Sequence, residues 1–137
     1  VLPEQVNPLV LFAGGIGITP LRCMLREIYL RQLPTQVVLF YSNRYVEDAV
    51  YLEELEKLAK KWPNFKAVFT LTGEDNPSIW KGELGRLNIN MIKKYLPDLS
   101  QGEFFMCGPD AFMDQIKVML EAEGVDVKKR LKKELFG

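Results

Sequence analysis

The sequence predicts an α/β protein, a parallel five-stranded sheet with helices on both faces. Short apolar, β-prone runs alternate with longer stretches whose apolar residues recur at helical spacing. The strongest run, Val37 to Tyr41, is continuous rather than alternating, as in a parallel strand covered on both sides. Turn-forming residues gather where strands should end, at Gly14–Gly17, Ser42–Arg44 and Cys107–Pro109.

Taken in order, Val10, Leu11 and Phe12 form the first strand, cut off at Ala13 by Gly14, Gly15 and Gly17. Thr19 and Pro20 then offer an N-cap and a first-turn proline. Leu21, Met24, Leu25, Ile28 and Tyr29 share one helical face, and Leu33-Pro34 ends that helix. Val37 to Tyr41 is the second strand, and Ser42-Asn43-Arg44 is its polar exit. Tyr51, Leu52, Leu55, Leu58, Ala59 and Trp62 mark a second helix, broken by Pro63-Asn64. Phe65 to Leu71 reads as the third strand. Thr72 to Leu87 carries Gly73, Asn76, Pro77, Gly82 and Gly85 without periodicity, and is too long for an idle connection. A short helix over Asn88 to Tyr95 closes at Pro97, and a fourth strand, Glu103 to Cys107, is broken by Gly108-Pro109. Phe112, Met113, Ile116, Met119 and Leu120 mark another helix, ended by Gly124. The tail reads as a turn and a last short strand near Leu131 to Phe136.

Composition narrows the chemistry. The 137 residues suit one domain with a sizeable core. Eighteen lysines and arginines balance eighteen carboxylates, so no broad charge argues for nucleic acid or an anionic membrane. The longest apolar runs fall far short of the ~20 residues a membrane helix needs. The opening VLPEQVNP has neither a basic segment nor an apolar core, so no signal peptide is expected, and a soluble, cytoplasmic protein is. There is no histidine, which excludes Ser-His-Asp and Cys-His pairs and histidine-held metals. Cys23 and Cys107 are too few for an iron–sulfur or Cys₄ site, and no metal site is expected. Any redox chemistry would be carried by a bound cofactor.

The stretch from Val10 to Leu21 packs a strand, a glycine elbow and a helix start into twelve residues. Such an elbow turns backbone N–H groups and a helix dipole toward an anion such as a pyrophosphate. Glycine lets the backbone approach where a Cβ would hold it off. The standard dinucleotide fingerprint is G-x-G-x-x-G, and here Gly15-Ile16-Gly17-Ile18-Thr19 runs into Pro20, so the third glycine is missing. Such a turn can also be a plain tight connection. Ligands of parallel sheets bind at the carboxyl ends of strands, beside the switch in strand order. Three such exits on one edge favour a dinucleotide site.

The motifs AGGIGITPL, YSN-R with Glu47, Asp48 and YLEEL, then GELGR, FFMCGPDAFM and a closing KELFG follow one pattern in order. Over about Pro8 to Gly137 the chain resembles the NAD(P)-binding domain of the ferredoxin–NADP⁺ reductase family, which includes reductase components of oxygenases. The resemblance implies a Rossmann-like fold over residues 1–137 as a single NAD(P)-binding domain. It also implies a flavin-binding β-barrel, absent from this sequence, with FAD or FMN held by another domain or chain. The implied function is to position NAD(P)H for hydride transfer to that flavin, with electrons passed to an iron–sulfur or haem acceptor. Alone, the chain is expected to bind nucleotide without turnover. The alternatives are a regulatory module that binds nucleotide without redox work, or an α/β interaction domain that binds none.

Residue by residue, the resemblance implies that Gly14, Gly15, Gly17, Ile18, Thr19 and Pro20 hold the pyrophosphate. Thr19 either caps the helix or lies near the nicotinamide. Cys107 would lie against the nicotinamide, with a small buried hydrophobe as its plain alternative. Gly108 and Pro109 would shape that turn, with Asp110 and Met113 lining its side. Ser42, Asn43 and Arg44 would meet the adenosine ribose. No carboxylate directly ends that strand and Arg44 matches a 2′-phosphate, a slight lean to NADPH. Plant-type members carry a serine–arginine pair after the third strand, where this chain has Thr70-Leu71-Thr72. Arg86 would touch a phosphate or pair at the surface. Glu134 and Phe136 match a terminal pattern in which an aromatic stacks on the flavin, although Phe136 could equally be core. Lys128, Lys129, Lys132 and Lys133 read as a solvated face that could still meet an acidic ferredoxin-like partner.

Overall fold

The computed structural model describes residues 8–73 and 77–133. Strand β1 is Leu9–Gly14, followed by a 3₁₀ turn at Gly15–Gly17 and helix α1, Ile18–Leu30. Strand β2 is Val37–Asn43, followed by a 3₁₀ turn at Val46–Asp48 and helix α2, Leu52–Lys61. Then come β3 at Phe65–Leu71, β4 at Glu83–Leu84, α3 at Ile89–Tyr95 and β5 at Glu103–Cys107. Helix α4 is Asp110–Ala122, α5 is Val127–Arg130 and β6 is Leu131–Lys133.

All strand pairs are parallel, in the order β4-β3-β2-β1-β5-β6. The order reverses at β1: β2 and β3 stack on one side of it, β5 and β6 on the other. Alternate residues of the central strands feed two separate cores. Val10, Phe12, Phe40, Phe104 and Met106 meet Met91 and Ile92 of α3 and Ile116 and Leu120 of α4. Leu11, Ala13, Leu39 and Tyr41 meet Leu21 and Leu25 of α1 and Leu55 of α2. Both faces are covered, so the strands read as unbroken apolar runs. Phe12 stacks with Phe40 and Phe104 at centroid distances of 5.4 and 6.3 Å, tying three strands into one layer.

Two sequence expectations change. The sheet has six strands among the described residues rather than five, because Glu83–Leu84 pairs with Thr70–Leu71. Two residues carry no periodicity, and tertiary bonds hold this strand. Gly85 donates its N–H to the Leu71 carbonyl at 2.8 Å, and Trp80 Nε1 donates to the Glu83 carbonyl at 2.9 Å. Thr19 is not an N-cap either. Helix α1 begins at Ile18 on Gly17, with no side-chain cap, because the preceding glycines already wind into a 3₁₀ turn. The last strand begins at Leu131 as expected, whereas Glu134 and Phe136 lie outside the described residues. Among the described residues no helix is long and apolar enough to cross a membrane.

Candidate functional site

Parallel pairing aligns the carboxyl ends of β1, β2 and β5, so Ala13 stands beside Cys107 and Gly14 beside Ser42. The turns leaving β1 and β5 touch backbone to backbone. A Cβ built on Gly17 would sit 2.1 Å from the Cys107 carbonyl oxygen and 2.7 Å from the Gly108 nitrogen. Only glycine fits there, and the reason is space rather than backbone angle. Gly15 is the opposite case: its φ of +56° favours glycine, and the direction of its missing Cβ is open, with nothing within 4 Å. A backbone exposed in this way, at a helix start, suits the close approach of a phosphate oxygen. The Ile18 N–H is turned onto the Gly15 and Ile16 carbonyls, so one of the expected donors is engaged within the turn.

A cleft of about 530 Å³ opens over this edge, lined among others by Gly14, Gly15, Ser42, Asn43, Arg44 and Thr72. Pro109 also lines it. Its wall at Asn43, Arg44 and Thr72 is braced by bonds between the exits of β2 and β3. Thr72 N–H donates to the Asn43 carbonyl at 2.9 Å, and Gly73 N–H donates to the Arg44 carbonyl at 2.7 Å. The Arg44 guanidinium is exposed and lies 5.6 Å from the centre of the Tyr45 ring. Under this wall, burial pushes the Tyr41 phenol above its ordinary range, with an opposing hydrogen bond to Asn43, so it stays neutral.

The cleft also holds residues the sequence did not single out as a site: Ile16, Glu47, Asp48, Val50 and Phe112. Glu47 and Asp48 were visible as an acidic helix start after YSN-R; Asp48 also accepts the Tyr45 N–H at 3.3 Å. Phe112 falls on the apolar stripe of α4 and so reads as core. Ile16 and Val50 are 91% and 76% exposed, an apolar rim with no periodicity to announce it.

Other expected site residues lie elsewhere. Ile18 and Pro20 are buried. Thr19 is exposed on the first turn of α1, and Cys107 is half-buried beside Gly17. Asp110 is exposed at the start of α4, and Met113 packs against the core. Arg86 is exposed beyond β4, which β3 and β2 separate from β1, and its carbonyl accepts from Asn88 Nδ2 at 3.3 Å.

A parallel sheet with a glycine turn and an open cleft at its switch point defines a nucleotide-binding α/β domain. The chain belongs to the oxidoreductase NAD-binding domain family, whose match covers residues 11–117, and it is of the ferredoxin–NADP⁺ reductase type. It is 34% identical over 131 residues to the glycine betaine monooxygenase reductase subunit of Pseudomonas aeruginosa, covering 96% of this chain and 36% of that protein. It is 31% identical to the xylene/toluene monooxygenase electron transfer component of Pseudomonas putida, covering 90% of this chain and 35% of that protein. Among solved structures it superposes on the CS-b5R domains of human Ncb5or in the NAD⁺ form, with a TM-score of 0.81 and 26% identity, over 96% of this chain and 37% of that one. It also matches a ferredoxin NADP⁺ reductase from Neisseria gonorrhoeae with bound FAD and NADP, with a TM-score of 0.75 and 25% identity, over 97% and 58% of the two chains. The chain thus spans about a third of the length of the curated relatives described here.

Proposed function

We infer that this chain is the nicotinamide-binding half of a flavin-dependent NAD(P)H reductase whose electrons pass to an iron–sulfur or haem acceptor. The observation that carries the reading is the contact between the Gly14–Gly17 turn and the Cys107–Gly108 turn, beside the open backbone at Gly15. The contact supports a reading in which the first turn cradles the diphosphate and the half-buried thiol beside it lies along the nicotinamide. When bound, the nicotinamide supplies a hydride from C4 to N5 of a flavin held outside residues 1–137.

The protein's own part is orientation. The backbone at Gly14, Gly15 and Gly17 receives the diphosphate. Thr19 and Cys107 face the nicotinamide end, and Ser42, Asn43, Arg44 and Thr72 receive the adenosine ribose. Pro109 and Gly108 shape the wall between the two ends. Arg86, Asp110 and Met113, like Thr19, Cys107 and Gly108, do not line the cleft itself, and their proposed places beside the cofactor rest on the resemblance. Glu134 and Phe136 keep a proposed role against the flavin on the resemblance alone.

Arg44 by itself suits a 2′-phosphate. Glu47 and Asp48 line the same cleft, and carboxylates there suit ribose hydroxyls better than a 2′-phosphate. The reading therefore moves to NADH. Titration of the chain with NADH, NADPH and 2′-phospho-AMP tests it, with NADH expected to bind tightest. Absence of binding by all three would overturn the nucleotide assignment. Dye reduction after adding a flavin domain tests the redox step, and binding without hydride transfer would leave a regulatory module.

A further inference from the structure

Phe112 stands on the first turn of α4, where the Met113 N–H closes onto the Pro109 carbonyl at 3.1 Å. Its ring folds over both glycine turns at once. A Cβ on Gly14 would lie 2.9 Å from Phe112 Cγ, and one on Gly108 would lie 2.9 Å from Phe112 Cδ2 and 3.2 Å from the Gly14 Cα. Gly14 and Gly108 lack positive φ, so the backbone angle does not demand glycine at either position. What demands it is room, for the ring alone at Gly14 and for the ring together with the Gly14 backbone at Gly108. The ring is half-buried and reaches the cleft, so it links the core under α4 to the site.

Resting on the nucleotide reading above, we propose that Phe112 is a positioning residue for the diphosphate. It acts as a rigid strut that holds the β1 exit against the β5 exit and so fixes where the amides of the Gly14–Gly17 turn point. A planar ring wedged between two glycines has few ways to move, and an aliphatic side chain there would leave both turns room to shift. The role belongs to the ring's shape. It requires no contact between the ring and a base.

The test uses the 137-residue chain and two probes, ADP-ribose and 5′-AMP, which differ in the second phosphate and the distal ribose. In the unmodified chain ADP-ribose binds more tightly than AMP. Phe112→Ala and Phe112→Leu reduce that advantage about tenfold or more while AMP affinity changes less than about threefold, and Phe112→Tyr restores the advantage. Loss of both affinities together, or an unchanged ADP-ribose advantage, overturns the strut. If the unmodified chain binds neither probe, the nucleotide reading falls first and takes the strut with it. A stability cycle keeps the geometry itself open to refutation. Gly14→Ala lowers the unfolding midpoint of the unmodified chain but changes it little in the Phe112→Ala background; equal losses in both backgrounds refute the contact.

Discussion

Where β1 and β5 end side by side the chain's turns meet backbone against backbone, whereas the β3–β4 margin adds a set of side-chain bonds to its backbone pairing. The first contact is made by Gly17 on the Cys107 carbonyl, with no atoms to spare. The second is a network. Lys94 Nζ donates to Glu83 Oε2 at 2.8 Å, the Tyr95 hydroxyl donates to the same carboxylate, and Thr70 Oγ1 donates to the Gly85 carbonyl at 2.6 Å. Backbone contact tolerates one residue type and leaves no slack. Side-chain bonds share the load among several groups and can be removed one at a time. The rigid region is the one proposed to orient a cofactor, which accords with the sub-ångström placement that transfer chemistry needs.

The largest effect that would break this contrast is expected from Gly17→Ala. The added methyl would run into the Cys107–Gly108 peptide, which is backbone and not a flexible side chain, and a loss of about 3 kcal/mol or more in urea unfolding is expected. A loss below about 1 kcal/mol would show that the two turns part easily. Tyr95→Phe at the other margin should cost only about 1 kcal/mol in the same assay, because Lys94 still satisfies the carboxylate. A cost as large as that of Gly17→Ala would erase the distinction.

The pH dependence sharpens it. Hydrogen bonds from Lys94 and then Tyr95 hold the Glu83 carboxyl below its ordinary value of 4.5. A depressed carboxylate contributes stability above its unfolded pKa and loses it as pH falls through the folded value. Thermal melts should therefore fall below about pH 5, and the slope should flatten in Glu83→Gln. An identical slope would remove Glu83 from the network. The smallest effect on folding belongs to Arg44→Ala, within about 0.5 kcal/mol because the side chain is exposed. Its measurable consequence is selectivity: a larger loss for NADPH than for NADH would assign Arg44 to a 2′-phosphate, and equal losses would deny it that partner.

Strands β1 and β2 could be read locally because burial on both faces writes itself as unbroken apolar runs, and β3, β5 and β6 from shorter apolar patterns between turn residues. Glu83–Leu84 could not, since a two-residue strand is defined by its neighbour's open edge rather than by its own side chains. The glycine turn itself was legible, although Thr19 looked like the cap of the helix that follows. The true helix start depends on the 3₁₀ turn ahead of it, which a capping rule for isolated helices does not include. Phe112 was hidden for another reason, because one ring can sit on a helix's apolar stripe and still reach a cleft.

The sequence by itself determined the order of strands and helices, the glycine elbow and the family to which the chain belongs, since propensity, periodicity and steric freedom act over neighbouring residues. Only the tertiary structure decided that Gly17 abuts Cys107, that Glu47 and Asp48 share a cleft with Thr72 and Phe112, and that Arg86 lies beyond that cleft. Those distances are set by the crossover connections, which bring together residues far apart in the chain and leave no mark in local pattern.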